Sequence, residues 1–315
     1  MIGPDLFVLD DFTHTAGETI INADFNAKNT TFDKLTNTGN LVSFENFTSD
    51  ELTNSGLIGV NKDFTSGSTT NNASAEIAVV GDYHSSDLTN SGTVTVTGAF
   101  EADTTVNNGT LTLGTSGKFN GAYSGTDATF TAATGNTEFL ADVDLSGTTF
   151  NANGGTVIFE KATTVQNFTA KSDASTTLNN VTIKSGTKLT TASSFNVGGN
   201  WTNENTSSVS DFYFEATAGK IIFTTAGTDA SNRSSFTISG HNKFYDIEAT
   251  GSYLDITVDD ENNFNDATSL DVVRLMYKMW DRVNREFNIK LHPEIKFIGN
   301  KTDEEIELWE IMTKL

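Results

Sequence analysis

Leu35-Thr36-Asn37-Thr38-Gly39, Leu52-Thr53-Asn54-Ser55-Gly56 and Leu88-Thr89-Asn90-Ser91-Gly92 are three copies of one phrase, and Val106-Asn107-Asn108-Gly109 is a degenerate fourth. Lining up their ends gives Gly39, Gly56, Ala73, Gly92 and Gly109, at spacings of 17, 17, 19 and 17. An aromatic ladder runs beside them: Phe47, Phe64, Tyr83, Phe100 and Phe119, at spacings of 17, 19, 17 and 19. Two independent ladders with one period mark an internal repeat.

Outward from the phrase, short alternating runs such as Thr93-Val94-Thr95-Val96-Thr97, Thr110-Leu111-Thr112-Leu113 and Thr156-Val157-Ile158-Phe159 read as strands. Asn108-Gly109, Asn120-Gly121 and Asn153-Gly154 punctuate them with residues that accept the positive φ of tight turns. A coil of about 18 residues, built of short strands and tight turns, is one rung of a solenoid. The expected fold is therefore mainly β: a β-solenoid (β-helix) of about 18-residue rungs with a small C-terminal α-β-α tail. Stacked about 4.8 Å apart, roughly 14 or 15 rungs would extend on the order of 70 Å. Val, Leu, Ile and Phe are expected inside, and Thr, Ser and Asn outside. No proline lies between Pro4 and Pro293, as expected where every interior strand donates to neighbours on both sides. After Phe119 the period loosens: Phe130, Phe150 and Phe168 follow at spacings of 20 and 18, with Phe139 and Phe159 between them.

The 315 residues include 19 Lys+Arg, 41 Asp+Glu and no Cys, for a net charge of −22. That balance argues against nucleic-acid or anionic-membrane partners, whose phosphates need basic surface. Without Cys there is no disulfide scaffold, thiolate zinc site or cysteine nucleophile. No apolar run is long enough to span a bilayer. The opening Met1–Asp5 lacks the basic and apolar regions of a signal peptide, so a secreted protein is expected to be represented by a mature form or an excerpt.

The charge is unevenly placed. Residues 271–315 hold 8 of the 19 basic but only 9 of the 41 acidic residues, with three of the four Met and one of the 26 Gly. The expected division is a repeat domain over 1–264 and a helical tail, a candidate C-terminal cap, over 265–315. In the tail, Leu270, Val273, Met276, Trp280, Val283 and Phe287 form an apolar stripe on a helix over 268–288. Ile295-Lys296-Phe297-Ile298 reads as a short strand. Thr302 and Glu305 form a capping box opening a last helix, with Ile306, Leu308, Trp309 and Met312 as its apolar positions.

Two resemblances accompany this reading. Phe195-Asn196-Val197-Gly198-Gly199-Asn200-Trp201-Thr202-Asn203, Gly219-Lys220-Ile221-Ile222-Phe223 and the run from Phe236 to Ile247 are similar to phrases of repetitive bacterial surface proteins and large exoproteins. That resemblance, over roughly 150–260, implies an extracellular β-helix of the filamentous-haemagglutinin kind, an adhesive stalk or matrix component without catalytic residues. Residues 265–299, from Asn265-Asp266-Ala267-Thr268-Ser269-Leu270-Asp271-Val272 to Leu291-His292-Pro293-Glu294-Ile295-Lys296-Phe297-Ile298-Gly299, resemble the C-terminus of UDP-N-acetylenolpyruvoylglucosamine reductase. By that resemblance Glu294 corresponds to the family's general acid, while His292 replaces the first Glu of the pattern. The family's flavin-binding domain has no counterpart in 1–264, so a fusion or inactive fragment is implied.

Other candidate sites are sparse. Asp259, Asp260 and Glu261 form the densest acidic run, with oxygen ligands suited to weakly bound Ca²⁺, or a solvated linker between repeat and tail. No other cofactor is expected. A polysaccharide-cleaving β-helix would need clustered carboxylates and a basic residue, and the repeat scatters Arg233 and ten lysines along its length. His14, His84 and His241 are isolated. The Thr-x-Thr runs point to an ice-binding face of hydroxyls and methyls as one reading, but only two regular arrays stand out and outward Thr is a good exposed β residue. The Asn-x-Ser/Thr sequons, Asn29, Asn46, Asn72, Asn167 and Asn200 among them, follow from composition. The expected function is a non-enzymatic structural or adhesive rod, extracellular or at the cell surface, whose partners are surface glycans, matrix or further copies of itself. The alternatives are the reductase-related fragment and a polysaccharide-binding or -cleaving β-helix.

Overall fold

The computed structural model describes residues 6–7, 10–161, 164–206, 213–224, 231, 233–250, 254–258, 276–277, 280–285 and 302–313. The chain divides into two units, Met1–Asn262 and Asn263–Leu315. The first is a parallel β-solenoid of about 12 turns with about 19 residues per turn.

One coil shows the construction. Phe47–Asn54 is followed by a tight turn, the strand Leu57–Val60 and a second turn, and then Phe64–Asn71 stacks in parallel on Phe47–Asn54. Along Phe47–Asn54 the inward residues are Phe47, Ser49, Leu52 and Asn54, while Asp50 and Glu51 both face out. Two consecutive outward residues break the two-residue period and mark a corner, so the coil has three faces. The corner is held from inside: the Ser49 hydroxyl donates to the Glu51 carbonyl at 2.8 Å, and Ser66 and Ser85 repeat the bond to Ser68 and Asp87. Further on the faces separate into distinct strands, Ser116–Phe119, Tyr123–Ser124 and Ala128–Thr131. Thirteen described strands, from Leu6–Phe7 to Ile247–Ala249, form the sheet that closes each coil.

The coils are fewer than the 14 or 15 expected because they lengthen. Phe47 pairs with Phe64 in the shorter coils near the N-terminal end, whereas Phe159 pairs with Ile183 and Val197 with Phe223 across visibly longer stretches of chain. About 12 turns at the spacing of stacked strands extend on the order of 55 Å.

Register also corrects both ladders. Leu57 pairs with Glu76, so the coil position of Gly56 is taken by Ala75 rather than Ala73. The two additional residues lie before it, in a turn where Ser74 adopts φ 67°. Gly56 itself is required by stacking, since a Cβ there would run into the Gly39 carbonyl oxygen. In the aromatic ladder, Phe47, Phe64, Tyr83 and Phe100 stack nearly parallel, at 4.8, 4.6 and 5.0 Å. The in-register partner of Phe100 is Gly117, and Phe119 continues from Ala102 on the same face. The ladder therefore steps sideways, and Phe119 meets Phe100 tilted by 42°. Leu113 occupies the space that Gly117 leaves.

The polar residues expected outside are partly inside. Asn37, Asn54, Asn71, Asn90 and Asn107 are fully buried, as are Ser49, Ser66 and Ser85.

In the second unit, Asp303–Thr313 is a helix opened by the expected capping box: the Thr302 amide donates to Glu305 Oε2 at 2.6 Å and the Glu305 amide to Thr302 Oγ1 at 3.3 Å. Met312 is buried and Ile306 is 41% exposed, so Ile306 does not share the inner face expected for it. Residues 276–277 and 280–285 are helical within the expected 268–288 helix. The strand expected over 295–298 lies outside the described residues. No helix among the described residues is long and apolar enough to cross a membrane.

Candidate functional site

Asp259, Asp260 and Glu261, and Glu294 of the reductase-like stretch, lie outside the described residues. Among the described residues no group of three or more His, Asp or Glu is placed to hold a metal. His14 Nδ1 is 2.8 Å from the Thr19 hydroxyl, and His84 lies 3.7 Å from Glu101.

The scattered basic side chains bridge coils. Lys34 contacts Glu51, Lys62 Glu45, Lys118 Glu101, Lys161 Asp142 and Lys184 Glu204. Toward the C-terminal end Lys188 and Lys243 share Glu215, Lys220 contacts Asp246 and Glu248, and Arg233 pairs with Asp255. Each pair joins a coil to its neighbour. Asp255 is held below the usual carboxylate range by the Arg233 guanidinium, and Lys220 above the usual ammonium range by its hydrogen bond to Glu248. These groups reinforce the stack.

Inside, the asparagines form a continuous chain. Each Nδ2 donates to the next Oδ1, from Asn37 to Asn54, Asn71, Asn90 and Asn107, at 2.8 to 2.9 Å. The same amides donate to the next coil's carbonyls at Leu57, Glu76, Thr93 and Thr110. The chain starts where Ile21 precedes Asn37, leaving Asn37 Oδ1 without a partner among the described residues, and ends with Asn107 donating to the Tyr123 hydroxyl at 3.2 Å. Burial pushes the Tyr83 and Tyr123 hydroxyls up to about 12, so both rings are neutral core residues. The repeated Leu-Thr-Asn phrase carries this ladder; its periodicity was readable, but the inward direction of Asn follows only from the corner.

Two features distinguish the exterior. A shallow cleft of about 280 Å³ opens beside Phe150, Asn151, Asn153, Thr177 and Asn179. Next to it the Thr-x-Thr pattern extends beyond the runs Thr93–Thr97 and Thr110–Thr112. Thr93, Thr110, Thr129 and Thr149 align in one outward column, and Thr95, Thr112 and Thr131 in the next, closed by Asn151. Thr129-Phe130-Thr131 and Thr149-Phe150-Asn151 join the array through register, which their flanking sequence does not reveal.

The geometry defines a parallel β-solenoid whose regular features are cross-coil ladders. Neither the family models, the curated proteins nor the solved structures include a match to this chain.

Proposed function

We propose that the solenoid unit is a non-enzymatic structural or adhesive rod presented outside the cell. The observation that supports this most is the internal asparagine ladder over 37–107, together with the cross-coil ion pairs outside it, through which most of the described cations of the solenoid hold one coil in register with the next. Such a stack offers length, stiffness and a repetitive hydroxyl and amide exterior. The acidic surface favours solubility and opposes edge-to-edge aggregation of the terminal strands. The resemblance of 195–203, 219–223 and 236–247 to bacterial exoproteins supports the extracellular setting, with glycans, matrix or further copies of the chain as partners.

The test exposes the purified full chain to immobilised matrix proteins and glycans, with absorbance and reducing-end release measured in parallel. Saturable retention by a colourless protein that leaves the glycan intact is the expected result. Turnover of a polysaccharide, or a stoichiometric flavin spectrum, would overturn the proposal.

A further inference from the structure

The threonine array has properties that a stack of outward threonines does not have by default. Other columns exist on the solenoid, such as Thr36, Thr53, Thr70 and Thr89, but each has one threonine per coil between corners. The 93–151 face has two outward positions per coil on four consecutive coils, seven of the eight threonine and the last Asn151. A single column repeats in one direction; this face repeats in two. Neighbours lie about 4.7–4.9 Å apart across coils and about 6.6–6.8 Å apart along a strand.

Within its bounds, which Glu76 closes on one side in register with Thr93, the face is also rigid, uncharged and free of protein partners at its hydroxyls among the described residues. Val94, Leu111 and Phe130 behind it are fully buried, and Phe150 nearly so. The β-branched side chain restricts χ1, which limits the directions its methyl and hydroxyl can take. Residues 93–95, 110–112, 129–131 and 149–151 include no ionisable side chain, in a chain of net charge −22. No hydroxyl of these seven threonines is engaged with another described residue, unlike Thr36, which donates to Glu18.

We propose that this face binds ordered water, specifically the surface of ice. The two repeats are close to those of oxygen positions on a prism face of hexagonal ice. The hydroxyls then substitute for lattice waters while the methyls occupy the hollows between them. Liquid water offers no fixed lattice, so selectivity for ice needs the rigidity and absence of charge that distinguish this face. A crystalline polysaccharide has a comparable periodicity but is gripped by stacking aromatic rings, and the array presents none. This reading stands independently of the adhesive one.

The full chain is tested for ice shaping and for inhibition of ice recrystallisation, alongside Thr112→Tyr in the middle of the array and Thr53→Tyr in a single column on another face. Circular dichroism and melting establish that both variants fold, and Thr112→Ser, which removes only a methyl, gives a second, milder reading. The expected result is faceted, slowed ice growth with the natural chain, a several-fold loss with Thr112→Tyr, a partial loss with Thr112→Ser and none with Thr53→Tyr. Ice growth indistinguishable from that with an inert protein at equal concentration would overturn the proposal, as would equal losses from Thr53→Tyr and Thr112→Tyr. Thr112-dependent adsorption to microcrystalline cellulose or chitin without ice activity would also overturn it, in favour of a polysaccharide surface.

Discussion

The coils over 30–112 and those over 156–258 solve one stacking problem in different ways. In the first region coil length is nearly constant, and like side chains fall on like: Phe47 on Phe64, Phe64 on Tyr83, Asn54 on Asn71. In the second, coil length varies and partners are unlike, with Val181 beneath Trp201 and Ile183 beneath Asn203. Specific contacts replace the ladders there. Trp201 packs on Phe214 at 4.7 Å and donates from Nε1 to Asn242 at 2.8 Å. Lys184–Glu204, Lys220–Glu248 and Arg233–Asp255 each close at 2.7 Å. Identical ladders demand constant coil length; once insertions are accepted, each junction needs its own device.

The largest test of that contrast is Phe64→Ala. Phe64 is fully buried between Phe47 and Tyr83, and its removal is expected to cost about 3–5 kcal/mol. Phe244→Ala, at a partly buried ring that packs on Trp201 and Phe214, is expected to cost markedly less. Urea unfolding measures both, with hydrogen exchange to locate the loss, because coils couple mainly to their neighbours. Equal costs would dissolve the distinction between the regions. Asn71→Ala follows. It removes the donor to Asn90, Thr93 and Ala75 and the acceptor for Asn54, and is expected to cost about 3 kcal/mol by leaving buried polar groups unpaired. Asn196→Ala, whose side chain donates to Ala174 and Thr177 at a part-buried site, is expected to cost about 1 kcal/mol.

This contrast also explains what could be read from the residues alone. The solenoid was legible because Phe47, Phe64 and Tyr83, and the Leu-Thr-Asn phrases, repeat with the coil. The two-residue slips were not: Ala73 and Ala75 are equally plausible glycine substitutes until the pairing of Leu57 with Glu76 decides between them. The buried asparagines were hidden because a polar residue before a turn glycine reads as exposed, and only the corner at Asp50 and Glu51 reverses the alternation. The threonine face was half visible, since its last two coils embed the pattern beside buried Phe130 and Phe150 and follow after longer coils than the first two.

High pH separates the two kinds of core by a different route. Tyr83 lies within the ladder and Tyr123 ends the asparagine chain, and burial raises both hydroxyls to about 12. The unfolded chain ionises at about 10, so the folded state is favoured fully below that value and loses this contribution as pH rises through the folded one. A shift of this size corresponds to roughly 2–3 kcal/mol for each ring. Alkaline unfolding is expected to begin above pH ~10 in the coils around Tyr83 and Tyr123, with the part of the tyrosinate absorbance that Tyr83→Phe and Tyr123→Phe remove appearing together with the loss of β signal. Tyr83→Phe should move that transition upward. Tyrosinate absorbance at pH ~10 that appears without unfolding and is lost in Tyr83→Phe or Tyr123→Phe would show those rings to be solvent-accessible.

The smallest effects are expected where ion pairs are densest. At Asp142, burial by itself would raise the carboxyl, but hydrogen bonds from Lys161 and Asn167 outweigh it and the net shift is downward. The folded value is depressed, so its contribution is present above about pH 4 and disappears as pH falls through the folded value. The Lys161 and Asp142 side chains are 26% and 45% exposed, so water screens the pair, and Asp142→Asn is expected to cost less than about 1 kcal/mol. Raising salt to about 1 M should shrink that cost further, since the screening length then approaches the contact distance. The cost of Asn71→Ala should not respond to salt, because the amide ladder is neutral and buried. If instead Asp142→Asn proved as damaging as Asn71→Ala, and equally indifferent to salt, the irregular coils would be held by charge at full strength. The division between ladder-built and pair-built regions would then have to be redrawn.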